Sequence, residues 1–358
     1  MQATSSIAPT QLPPPLRTSS DMASTWTDGD LDFDTAAEKI VKAHAWDGAH
    51  RDLPVGDLKT WAVSARNGRF ALVPLARHHE PRVLRGSAFS HLAARLGAPA
   101  DFIRRLPAPL QLATLNFLLC DRDEGAATTL RLRGDEIAAV VSGRYAPLDA
   151  HELVDTIRAG LVRFGVLADV RVKSWASGLV DNLRLVFPAE STAVEVGDVS
   201  AVGIDITGSS FAKSAIHVSP VIWRLVCKNG MRAAERRGAM SFRHVGDPQR
   251  LRDGVAEAIP SALVHARGVM TQWKRAVTFM VEDVARQVEE LRELTIPERK
   301  SLENELQTEA RTASLPSSVR LYDFVNALTA SAKAAAPARR LELESVAGQV
   351  LSRHIGRA

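Results

Sequence analysis

The stretch Thr128-Thr129-Leu130-Arg131-Leu132-Arg133-Gly134-Asp135-Glu136-Ile137-Ala138-Ala139-Val140-Val141-Ser142 decides the fold class. Leu130 and Leu132 fall on one side of an extended chain, because side chains alternate with a period of two. Gly134-Asp135 reads as a two-residue turn with Gly first, as a type II′ hairpin prefers. Ile137 to Ser142 then returns as the second strand. Asp149 and Glu152 follow as a D-x-x-E helix start. Leu153, Ile157 and Leu161 make one stripe of that helix, which ends near Phe164 and is stopped by Gly165. Four more strand candidates come next. Val170 and Val172 alternate with Arg171, Lys173 and Trp175. Leu183, Leu185 and Phe187 alternate with Asn182, Arg184 and Val186. Val202, Ile204 and Ile206 alternate with Asp205 and Thr207, and Phe211 to Val218 closes the set. Hairpin, helix and strand meander in that order predict an α+β fold: an antiparallel sheet with packed helices.

Upstream, Trp61 to Val73 reads as short strands around an Asn67-Gly68 turn, and Ser87 to Leu118 as helix in two pieces broken near Gly97. Residues 1–30, rich in Ser, Thr, Pro and Gln, read as a disordered leader. Downstream, Ser219-Pro220 reads as a helix start and Asn229-Gly230 as its stop. Beyond Leu251 the periodicity is helical. Val264, Trp273, Val277, Met280, Val284, Val288 and Leu291 suit one side of a long helix, and Thr295 to Glu298 is a capping box opening another. A further amphipathic helix carries Leu321, Phe324, Val325 and Leu328, and a last one follows Pro337. The expected organisation is a leader at 1–30, an α+β core at 31–250 and a helical C-terminal region at 251–358.

Composition sets the outer limits. The 358 residues are 46% hydrophobic and 24% charged, enough apolar material for a sizeable core. Two cysteines, Cys120 and Cys227, leave no disulfide framework and no cysteine-only zinc site. No run approaches a membrane span, and Pro13-Pro14-Pro15 interrupts the place of a secretory signal. The expected location is the cytoplasm. No G-x-S-x-G, H-E-x-x-H or C-x-x-C occurs, and Gly208 to Ser214 lacks the Gly that a phosphate loop places before its lysine. His78-His79-Glu80 reads as an ordinary loop. No cofactor, metal or catalytic residue is expected.

Two features point to nucleic acid. Arg171, Lys173 and Trp175 share one side of a strand by the period of two. Arg184 lies on the polar side of the next strand and Lys213 on that of a later one. Cations beside a stacking aromatic are what single-strand binding uses. The second feature is a basic run from Arg224 to Arg252, with eight Lys or Arg against only Glu235 and Asp247. Within it Arg224 and Lys228 are four apart, neighbours on one helix face if the segment is helical. The formal net charge of +4 permits such a partner without demanding it.

Several blocks carry a family likeness. Val141-Ser142-Gly143-Arg144-Tyr145-Ala146-Pro147-Leu148-Asp149 resembles the "LSxRY…D" block of the phage/plasmid-like domain of unknown function 932. Ile222 to Met231 resembles its "RLVCTNGM" block, with Lys228 in place of the usual small polar residue. Arg243-His244-Val245-Gly246 and Val325-Asn326-Ala327-Leu328-Thr329 resemble its "RHxG" and "VNAxT" elements. Tyr145, then Asp149 and Glu152 opening a helix, then the meander, is similar to the core of Erf-type single-strand annealing proteins. That second likeness implies oligomeric rings with a basic groove. Together the likenesses imply a non-enzymatic DNA-binding protein of a mobile element, holding single-stranded DNA as a possible homo-oligomer. The candidate contacts are Arg144, Tyr145, Arg171, Lys173, Trp175, Arg184, Lys213, Arg224 and Lys228. The alternative is an interaction or scaffold protein that works through its C-terminal helices.

Overall fold

The computed structural model describes residues 13–19, 24–45, 50–76, 79–121, 127–225, 229–233 and 239–355. The chain is α+β, with antiparallel sheets and packed helices. In order come β1 (Thr25–Asp32), α1 (Phe33–Ala45), β2 (His50–Gly56), β3 (Trp61–Arg66), β4 (Arg69–Pro74), β5 (Arg82–Val83), α2 (Gly86–Arg95), α3 (Ala100–Arg105), α4 (Ala108–Asp121), β6 (Thr128–Arg133) and β7 (Glu136–Ser142). Then follow α5 (Ala150–Phe164), β8 (Arg171–Ser177), β9 (Asp181–Glu195), β10 (Asp198–Gly208), β11 (Ile216–Arg224), β12 (Asn229–Arg232) and β13 (Met240–Phe242). The last part holds α6 (Pro248–Arg275), β14 (Met280–Glu282), α7 (Val284–Glu290), α8 (Ile296–Ala310), β15 (Ser318–Arg320), α9 (Leu321–Ser331) and α10 (Pro337–Ile355). Among the described residues no helix is long and apolar enough to cross a membrane.

The chain divides into two compact units. The first comprises Met1–Met22 and Ala45–Tyr145. It holds two three-stranded sheets, β3-β4-β5 and β2-β6-β7, around a core that includes Phe70, Leu72, Phe89, Leu92, Leu115 and Leu130. Its hairpins follow their turns. Asn67 and Gly68 both take positive φ, 51° and 72°, as a two-residue turn between β3 and β4 requires. The helical stretch breaks into three helices rather than two, because Leu106-Pro107 interrupts it a second time.

The second unit comprises Ala23–His44 and Ala146–Ala358. Its seven-stranded antiparallel sheet runs β1-β8-β9-β10-β11-β12, with β13 also on β11. Leu183, Leu185 and Phe187, with Val202, Ile204 and Ile206, bury one face in the same cluster as Leu153 and Ile157 of α5 and Val255 and Ile259 of α6. The α5 start is the expected capping box of Asp149 and Glu152, and α8 opens on that of Thr295 and Glu298.

The structure corrects several expectations. The leader does not reach residue 30: β1 starts at Thr25 and pairs with β8. Residues 17 and 19 are tied by backbone hydrogen bonds to Gly68, Phe70, Leu84 and Gly86, a form of order that needs no apolar composition. A boundary at 250 is not present, because α6 to α10 share one core with the large sheet. The helix expected from Ser219 is instead the end of β11 and its hairpin to β12. The β-branched and aromatic run Val218, Val221, Ile222, Trp223 outweighs the Ser-Pro signal. Pro220 is tolerated because its carbonyl points to Ala233, away from β10, so the missing N–H removes nothing from the β10 ladder. The long helix expected through Leu291 ends at Arg275. Val264 and Met280 are exposed rather than on its buried stripe, and β14 intervenes.

Candidate nucleic-acid interface

Arg184, expected on a solvent-facing side of β9, is wholly buried. The alternation holds along β9, but a second layer covers that face. Arg184 Nε and Nη2 donate to the Asp205 carboxylate on β10 at 2.7 and 2.6 Å. Nη1 donates to Glu344 of α10 at 3.0 Å, and Nη2 also donates to Glu344. The guanidinium carbon lies 5.2 Å from the ring centre of Trp26 and 5.1 Å from that of Trp223. Arg232 and Arg340 add further cations to the same two carboxylates, at 3.4 and 3.2 Å. Burial pulls the Arg184 guanidinium toward its neutral form. The charges of Asp205 and Glu344 more than reverse this and hold it protonated. Gly230 makes room for the cluster: a Cβ there would stand 2.7 Å from Arg184 Nη1 and 3.1 Å from the Trp223 ring.

Arg171, Lys173 and Trp175 do not share a face. Arg171 pairs with Val186 but Trp175 pairs with Leu183, on the other side of β9, because a bulge falls between Val172 and Ser174. One extra residue switches the alternation to the opposite face. Trp175 therefore packs against the apolar core of the sheet. Arg171 Nε and Lys173 Nζ both reach Asp30 of β1, at 3.0 and 2.8 Å. Those two cations hold the Asp30 carboxyl below its usual range, the Lys173 hydrogen bond contributing most.

Arg224 lies on β11, not on a helix. Its Nε donates to the buried Asp198 carboxylate at 2.5 Å, and its guanidinium carbon stands 5.7 Å from the Tyr322 ring. Tyr322 also donates to Asp198. Burial first, and this hydrogen bond second, push the Tyr322 hydroxyl above its ordinary range. Arg224, Gly230, Met231, Asn326 and Thr329 converge on a cavity of about 10 Å³, room for a single water. Lys228 lies outside the described residues.

Arg144 and Tyr145 belong to the first unit. Arg144 is exposed in the turn after β7, while the half-buried Tyr145 hydroxyl accepts from Arg131 at 3.3 Å. In the second unit Ala146 and His244 are joined twice. The Ala146 N–H donates to the His244 carbonyl at 3.1 Å, and His244 Nδ1 lies 3.0 Å from the Ala146 carbonyl.

What stays exposed is a smaller set at one end of the second unit. The β11–β13 register, Ile216 opposite Phe242, carries Lys213 and Arg243 to the same end of the sheet. Both are exposed. Gly254 of α6 rests on Phe242, and one turn earlier Arg250 stands 90% exposed, with a long, solvent-exposed pair to Asp247 at 4.0 Å. Lys213 was legible as a candidate. Arg243 and Arg250 were legible only as part of the basic run, because nothing in the sequence separates its exposed members from Arg224 and Arg232, whose carboxylates come from distant strands.

Within the second unit, parts of the motif blocks thus meet in space, Ala146 against His244 and Arg224 beside Gly230 and Asn326. Comparison with curated proteins and with solved structures finds no match. A family model described as Domain of unknown function (DUF932) matches residues 138–347, more than half of the chain, and the chain belongs to that family.

Proposed function

We propose that the chain is a non-enzymatic DNA-binding protein of a phage- or plasmid-type mobile element. In this reading it holds single-stranded DNA by its phosphates and leaves the bases free to pair, as annealing requires. The observation that supports the reading is the exposed group Lys213, Arg243 and Arg250 at the loop end of the large sheet. The sheet face itself is not the proposed surface, since Arg171, Lys173, Arg184 and Arg224 all meet carboxylates of the same unit. The mobile-element setting and the annealing step rest on the resemblance of the motif blocks. The test is fluorescence anisotropy of a labelled single strand titrated at several salt concentrations. Replacing all three cations with Ala removes about three phosphate contacts, which lowers the slope of log K against log salt by about 2 for a single strand. An unchanged slope, or no binding by the native chain, overturns the reading.

A second reading, an interaction protein, has its own support. The inner face of α10 is taken up within the unit, because Leu343, Val346, Val350 and Leu351 are buried in its core, which leaves the outer faces of the C-terminal helices for a partner. The first unit also exposes Leu110 and Phe117 on α4. Apolar side chains gathered in this way mark contact surfaces.

A further inference from the structure

Helix α4 carries no charge from Ala108 to Cys120 and has no strongly polar side. Its inner face is used within the unit. Gln111, Leu115 and Leu119 are buried. The Asn116 amide accepts from the Val63 N–H and donates to the Val63 carbonyl, both at 2.8 Å, closing the outer edge of β3. The opposite face presents Leu110, 52% exposed, then Ala113, then Phe117, 67% exposed, at helical spacing. Polar residues belong on the outer stripe of a surface helix, and here it is apolar.

The charges at the ends of the helix identify the occupant. Arg105 stands exposed as the last residue of α3, three residues before α4, and Asp121 stands exposed in the last turn of α4. A helix dipole favours cations at the C-terminus, so Asp121 is unfavourably placed on its own helix. A second α4 lying antiparallel brings opposite charges together at both ends. Each Asp121 then approaches the N-terminus of the partner's helix, where Arg105 also stands. With the axis between Ala113 and Thr114, Leu110 meets the partner's Phe117. We infer that the exposed face of α4 is a self-association surface, on which a second copy of this chain docks its own α4 antiparallel about a twofold axis. The helix is only about 21 Å long, so the contact is small beside a standard interface and the dimer forms reversibly with concentration. The inference stands apart from DNA binding and is measured without DNA.

The experiment is sedimentation of the full chain over a wide concentration range. The native chain passes from monomer to dimer. Phe117→Asp stays monomeric with its melting temperature nearly unchanged, because the side chain is exposed. Arg105→Asp and Asp121→Arg each weaken the dimer about three- to tenfold, while Asp121→Arg also raises the monomer's melting temperature, since a cation suits the C-terminus of α4. The double variant restores the dimer to near-native strength. A native chain that is monomeric throughout overturns the inference. So does a dimer that persists in Phe117→Asp, and so does a double variant no tighter than the singles.

Discussion

Removing the guanidinium of Arg184 is the most direct test of the reading that this arginine holds the second unit together and does not contact phosphate. Arg184→Ala deletes four hydrogen bonds and leaves Asp205 and Glu344, both with wholly buried side chains, short of their main cation. Breaking a buried ion pair from one side costs about 3–5 kcal/mol. Arg232 and Arg340 remain beside the two carboxylates, which places the expected loss near 3 kcal/mol. A large fraction of a domain's net stability, about 5–15 kcal/mol, is at stake. Because the cluster is out of contact with solvent, raising salt from about 0.1 to 1 M leaves the cost unchanged, unlike that of a surface pair. Arg184→Lys keeps the charge but cannot make the bidentate bonds or stack between Trp26 and Trp223, and recovers less than half of the loss. Urea denaturation at neutral pH, read by tryptophan fluorescence at low and high salt, gives the midpoints. An Arg184→Ala chain within about 1 kcal/mol of native, with the fold intact and DNA affinity reduced, would refute the structural role and return Arg184 to the phosphate-binding set.

Two further outcomes follow from the same unit. Gly230→Ala sets a Cβ 2.7 Å from Arg184 Nη1 and 3.1 Å from the Trp223 ring; the clash should destabilise by about 1–3 kcal/mol, and coupling with Arg184→Ala in a double-variant cycle tells whether the guanidinium is what it meets. At the start of α8, the Arg339 hydrogen bond holds the Glu298 carboxyl down to about 2, against 4.5 for the free group. A depressed carboxylate stabilises the fold above its unfolded value, and that contribution disappears as pH falls from about 4.5 toward 2. Glu298→Gln keeps the capping hydrogen bond from Thr295 while losing the charge, so it should melt slightly lower than native at pH 6, by no more than about 1 kcal/mol, and match it near pH 2; a constant difference across that range would mean the charge contributes nothing.

The parts of the fold legible in the sequence are those governed by neighbouring residues. Asn67-Gly68 and Gly134-Asp135 specify their hairpins, and Asp149 with Glu152 and Thr295 with Glu298 open their helices, because each signal acts across two to four residues. The errors begin where the deciding contact is distant. Nothing near Arg184 announces Glu344, which arrives 160 residues later on α10. The nearer half of that cluster was visible: Asp205 and Arg184 occupy the polar sides of consecutive strands, and opposite charges so placed are as much a sign of a cross-strand pair as of a solvated face. At Val172–Ser174 a single extra residue sends Arg171 and Trp175 to opposite faces, and a period of two cannot be read through such an insertion. At Ser219-Pro220 a helix-capping dipeptide sits where β12 and β13 leave a gap along β11.

These placements bear on what a family likeness can carry. The blocks that support it are largely internal. Ala146 and His244 bond each other, Arg224 meets Asp198, Gly230 admits Arg184, and Asn326 and Thr329 close a cavity beside Arg224. Side chains committed in this way specify how the second unit packs, so the likeness transfers a fold more securely than an activity. Specific recognition has to come from side chains that the packing leaves free to meet a partner. Among the described residues, Lys213, Arg243 and Arg250 at the loop end of the large sheet and the outer face of α4 in the first unit are exposed in this way. The two groups separate by phenotype: changes inside the blocks should lower stability and every binding activity together, whereas changes at the exposed cations or at Phe117 on α4 should remove one association and leave melting nearly untouched. If the exposed variants instead melt early, those side chains belong to the packing as well.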